Sequence, residues 1–164
     1  EKRIAEPQVR SGLIRQGLDQ VLCPACRISW GDKVLLLSHG QRVRLERYCQ
    51  VNGICDVENL HFRNAEGCPQ CQKKLNERLV SRGVIGRSVI AEVIRPDARF
   101  MSLYLEQGQM AARQYWLDHL GGISRLTHLL HKLNVGEVDA LDADLVCPLD
   151  EDEMLRPDRG MADA

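Results

Sequence analysis

Two cysteine pairs of one design, Cys23-Pro24-Ala25-Cys26 and Cys68-Pro69-Gln70-Cys71, constrain this chain more than any other feature. Two residues between thiols let one tight turn aim both sulfurs at a single point, and a proline directly after the first cysteine stiffens that turn. Zinc takes four thiolates from two such turns in a tetrahedron, with Zn–S distances of about 2.3 Å. The duplicated spacing predicts one metal centre built from Cys23, Cys26, Cys68 and Cys71 around a structural Zn2+ ion. The same spacing also serves thioredoxin-like redox sites, and cysteines can pair as disulfides. Residues 1–22 carry Lys2, Arg3, Arg10 and Arg15 without an uninterrupted apolar core, so no secretory leader is legible there. A reducing cytoplasm is the expected location, and it favours metal over disulfide.

A four-thiolate zinc centre carries two negative charges, which Arg27, Lys73, Lys74 and Arg78, placed just after the pairs, could offset. Cys49 and Cys55 fall between the pairs with the wrong spacing for a two-residue turn, and read as small apolar side chains rather than ligands. Cys147, before Pro148, acquires no role.

Apolar residues make up 44% of the 164 positions, as in a globular chain, but aromatics only 4%. With so little bulky material, the cysteine region is expected to depend on its metal, since structural zinc contributes about 10–16 kcal/mol in isolated finger peptides. A net charge of −1 argues against nucleic acid as the partner. Arg42, Arg44 and Arg47 are interrupted by Glu46 and read as a solvated helix face. No apolar run reaches the roughly 18 residues that span a bilayer, so no direct membrane span is expected.

Periodicity predicts an α+β fold, mostly helical: a small zinc-stabilised tetracysteine subdomain followed by a helical C-terminal subdomain. Leu13, Ile14, Gly17, Leu18, Val21 and Leu22 step by three and four, predicting a helix over 9–22. A short strand is expected over Lys33 to Leu37, a helix over Gln41 to Gln50 and an extended piece near Leu60 to Arg63. Gln72 to Val80 reads as a short helix, and Gly83 and Gly86 bracket a turn into a buried strand from Ser88 to Ile94. Beyond Pro96 only helices are predicted, with apolar faces at Phe100, Leu103 and Tyr104, at Ala112, Tyr115, Trp116 and His119, and at Ile123, Leu126, Leu129, Leu130 and Leu133. Gly136 is placed as a C-cap, and Val138, Leu141 and Leu145 mark a last short helix. His128 and His131 read as surface or interface residues rather than a second metal site. The expected divisions are 1–22, 23–95, 96–146 and a disordered acidic tail over 147–164.

Taken in order, the chain resembles the C-terminal part of the type II secretion and type IV pilus-assembly ATPases, the GspE/PilB-like family, which carry a tetracysteine zinc domain. The matching stretches are Ser11-Gly12-Leu13-Ile14-Arg15-Gln16, Leu22-Cys23-Pro24-Ala25-Cys26, Gly67-Cys68-Pro69-Gln70-Cys71, Gly83-Val84-Ile85-Gly86-Arg87 and Ile90-Ala91-Glu92-Val93-Ile94. A helical tail ending in Leu133-Asn134-Val135-Gly136-Glu137-Val138 follows. The Trp116 to Gly122 stretch is similar to pilus-type, conjugative-plasmid-like members. The resemblance implies that residues up to 22 end an ATPase core, that the fragment is non-catalytic, and that ATP and Mg2+ bind only in an upstream core. It implies a cytoplasmic, hexameric motor at the inner membrane that contacts neighbouring subunits and a platform protein to drive pilin or pseudopilin assembly. A G-x-x-x-x-G-K-[ST] phosphate loop is absent from these 164 residues, so the chain is not expected to hydrolyse ATP by itself. Its start at Glu1 rather than methionine fits a piece of a longer protein.

Overall fold

A computed structural model describes residues 12–76 and 78–149. The fold is α+β with helices dominant, as the periodicity predicted. Its spine is a two-stranded antiparallel ribbon in which β1 (Leu13–Leu22) pairs with β6 (Val84–Ile94), running from Leu13 opposite Ile94 to Leu22 opposite Val84. Everything between the two strands is therefore an excursion that leaves and returns at one end of the ribbon. The predicted helix over 9–22 is corrected here: residues 13–22 are a strand, and residues 9–11 lie outside the described residues.

The excursion begins with the first cysteine turn and β2 (Ile28–Ser29). Ser29 then caps α1 (Trp30–Lys33) by accepting from the backbone N–H of Asp32, and a 3-10 turn follows over Val34–Leu36. That helical path replaces the strand expected over Lys33 to Leu37. Next, α2 (His39–Asn52) covers the predicted helix, opened by a capping box between Ser38 and Gln41 and closed by Gly53 in the left-handed region. A 3-10 turn over Val57–Asn59 leads to β3 (His61–Phe62), which pairs with β2 where an extended piece was expected. After the second cysteine turn, β4 (Lys73–Leu75) and β5 (Arg78–Ser81) form a hairpin in place of the predicted helix over Gln72 to Val80.

The four helices after β6 lie where their apolar stripes put them: α3 (Ala98–Gln107), α4 (Gln109–His119), α5 (Arg125–Asn134) and α6 (Ala140–Val146). At the end of α5, Gly136 donates to Leu133 O and Glu137 to Lys132 O, both at 2.9 Å. This is a Schellman arrangement with Gly136 at φ +64, in agreement with the predicted cap.

The main core joins Trp30, Tyr48, Leu60 and Phe62 from the excursion with Ile90 of β6, the leucines of α5 and the alanines of α6. It does not divide at residue 95. A smaller cluster gathers Ile94, Phe100, Met101, Leu103, Ala112 and Trp116, so α3 and α4 form their own layer against the far end of the ribbon. Cys147 and Leu149 are fully buried in the main core, which corrects the expectation of a disordered tail beginning at 147; residues 150–164 lie outside the described residues. Among the described residues no helix is long and apolar enough to cross a membrane.

Candidate metal centre

The two cysteine turns have the same backbone. Cys26 and Arg27 donate to Cys23 O at 3.2 and 2.9 Å, while Cys71 and Gln72 donate to Cys68 O at 3.1 and 3.0 Å. Each turn thus points two thiols the same way, and each runs on into a short strand, β2 or β4. The ribbon brings the turns together: Cys23 continues β1, and its N–H donates to Gly83 O at 2.9 Å, just before β6.

The four sulfur atoms all lie within 4.8 Å of one another. Cys23 Sγ to Cys68 Sγ, Cys26 Sγ to Cys71 Sγ and Cys68 Sγ to Cys71 Sγ are each 3.8 Å. A disulfide needs about 2.05 Å, whereas four sulfurs about 2.3 Å from a common centre stand about 3.8 Å apart at the corners of a tetrahedron. The arrangement has the size of a tetrahedral metal site, and all four residues singled out by spacing take part in it.

Ionisation points the same way. Burial pushes the Cys26 thiol up to about 12, with the neighbouring sulfurs of Cys68, Cys71 and Cys23 adding to the rise. Burial also opposes ionisation of Cys71, but the backbone N–H groups of Cys68 and Gly83, each 3.1 Å from its Sγ, outweigh this and lower it to about 7. Within the cluster, the surroundings thus oppose charge on Cys26 and favour it on Cys71.

Sequence reasoning missed the glycines that make the site fit. Gly67 and Gly83 both adopt positive φ, +67 and +71. A Cβ on Gly83 would stand 2.2 Å from Asn64 O, and one on Gly67 would stand 3.1 Å from Cys71 Sγ. The adjacency of Gly67 to Cys68 was the available signal, because a backbone that must approach a metal site closely favours glycine.

Of the expected charge-balancing residues, Arg27 turns away to the end of α5, where Nη1 donates to Val135 O at 3.2 Å and also to Gly136 O. Lys73 is exposed, and the side chains of Lys74 and Arg78 lie outside the described residues. Cys49, Cys55 and Cys147 are buried in the main core and are not brought to the cluster. His128 accepts from Ala91 N–H at 3.2 Å through Nδ1, a contact that fastens α5 to β6. The four cysteines are the only metal-ligating group of three or more residues among the described residues.

No protein-family model and no curated protein matches this chain.

Proposed function

We propose that Cys23, Cys26, Cys68 and Cys71 hold a structural zinc ion, and that the chain is the non-catalytic C-terminal region of a secretion or pilus-assembly ATPase. The observation that carries the zinc reading is the set of 3.8 Å sulfur–sulfur edges from two distant turns. The ion, held there, would supply a rigid cross-link and no chemistry on a substrate. All four corners are protein sulfurs, so no position remains for a reactant.

The family reading rests on the order of the cysteine pairs, the Gly83-to-Arg87 stretch and the terminal helices. In that reading the lobe transmits movement within a homo-hexameric ring and contacts the inner-membrane platform protein, while ATP and Mg2+ are bound upstream. A stiff cross-link at the base of the ribbon suits that role, because a lobe that frays cannot move as one body.

Elemental analysis of the purified chain is expected to give about one zinc per molecule, as four thiolate ligands require. Cys68→Ser is expected to lose that ion and to lower Tm far more than Cys147→Ser. Metal-free, folded wild-type protein would remove the zinc assignment. The family assignment is tested separately: the full-length protein is expected to hydrolyse ATP and the 164-residue chain to show no turnover.

A further inference from the structure

Two cysteines outside the four-sulfur cluster meet at the C-terminal end of α2. Cys49 lies in the last turn of that helix, its carbonyl accepting from Gly53 N–H at 3.2 Å. Gly53, at φ +61, reverses the chain and brings Cys55 back, so that the two thiols interact. They are 7% and 5% exposed, yet both line an open depression of about 600 Å3, together with Glu46, Gln50, Asp56 and Asn134. A peroxide, little larger than water, can reach sulfurs placed in this way.

We propose that Cys49 and Cys55 form a reversible dithiol–disulfide pair, oxidised by small hydroperoxides that enter through this depression. The Cys49 thiolate attacks one peroxide oxygen; an S–O bond forms, the O–O bond breaks, and the departing oxygen takes a proton and leaves as water or an alcohol. Cys49 is then a sulfenic acid. The sulfur of Cys55 attacks it; the S–S bond forms, the S–O bond breaks, and the hydroxide released takes the Cys55 proton to become water. Two thiols have given up two electrons and two protons, and a thiol reductant reverses the change.

The environment assigns the two roles. The hydrogen bond from Cys55 lowers the Cys49 thiol, outweighing burial and the nearby Asp56 carboxylate, which both raise it. Cys55 is pushed up, first by that same hydrogen bond and then by burial. Cys49 is therefore the nucleophile and Cys55 the resolving thiol. This pair is independent of the zinc and family readings, because neither residue touches the four-sulfur cluster.

The zinc-loaded chain, treated with stepwise additions of hydrogen peroxide, tests the assignment directly. Trypsin cleaves after Arg47 and Arg63 and releases both cysteines in one peptide, so the disulfide reads as a fragment lighter by two hydrogen atoms that resists alkylation. Expected are loss of two thiols per chain, both in that peptide, recovery with dithiothreitol, and no metal released to a chromophoric chelator. In Cys55→Ser, dimedone is expected to label Cys49; in Cys49→Ser, it should leave Cys55 unlabelled. Wild-type mapping decides the matter even if a variant fails to fold. The proposal is overturned if Cys49 and Cys55 stay fully alkylatable while the cluster oxidises and releases metal, or if either one links to Cys147.

Discussion

Asp19 illustrates how a single side chain in the ribbon works against the fold. It is buried, its Oδ1 accepts from Gln20 N–H, and its Oδ2 has no partner among the described residues. Burial raises its carboxyl above the ordinary value; the Gln20 N–H partly lowers it, and the Asp142 and Asp139 carboxylates add to the rise. A carboxyl raised in the folded state binds its proton more readily there than in the unfolded chain, so folding is penalised above the raised value and the penalty fades as pH falls through it. Asp19→Asn is thus expected to raise Tm at neutral pH, with a gain that shrinks on acidification. Thermal melts of both proteins across the acidic range check this, and a gain independent of pH would mean that charge is not the cause.

Among the elements, β6 acts as the hub, and Glu92 is the fastening. Its carboxylate pairs with Arg113 of α4 at 3.0 Å and accepts from the Arg125 N–H at the start of α5 at 3.4 Å. Both pair members are nearly buried, and the carboxylate sits where the positive end of α5 favours it. Glu92→Leu alone is expected to destabilise by about 3–5 kcal/mol, since it removes the carboxylate facing a buried guanidinium. Glu92→Leu with Arg113→Met should recover most of that loss in denaturant titrations. The burial of Glu92 was not legible in the sequence, because the polar letter carries no sign of what will cover it.

The same scale shows what was legible. The helices beyond residue 96 were, from their apolar steps, although α6 buries Ala140 and Ala143 while Leu145 lies 84% exposed. Strand β1 was not: Leu13 packs against the smaller cluster, while Ile14 and Leu18, on the opposite face, lie 68% and 53% exposed. Apolar residues on both faces of a strand fall at steps of three and four and imitate a helix. The β4–β5 hairpin was hidden too, Asn76 in its turn adopting φ +48. The four sulfurs were legible because metal chemistry, unlike packing, fixes both residue type and spacing.

At the scale of the whole molecule, the cysteine cluster and the main core are separate sources of order. The cluster closes the stretches 23–27 and 64–83, whereas the core is held by α2, α5, α6 and Ile90. Removing the proposed zinc with a strong chelator is therefore expected to abolish amide-exchange protection in the two cysteine turns and at Gly83, while α5 from Leu126 to Leu133 keeps most of its own. Hydrogen exchange followed by mass spectrometry reads both regions in one experiment. Simultaneous loss throughout would make the metal a requirement for the whole fold.

The pairing of β1 with β6 has a consequence for synthesis. As the polypeptide emerges from the ribosome, β1 has no strand to join until Val84 and the residues after it clear the exit tunnel, and Cys23 and Cys26 must wait for their counterparts at 68 and 71. Val146 of α6, which packs over Gly17 of β1, arrives later still. Closure across so long a loop is slow, and the early thiols spend the interval open to whatever metal or oxidant the surroundings hold.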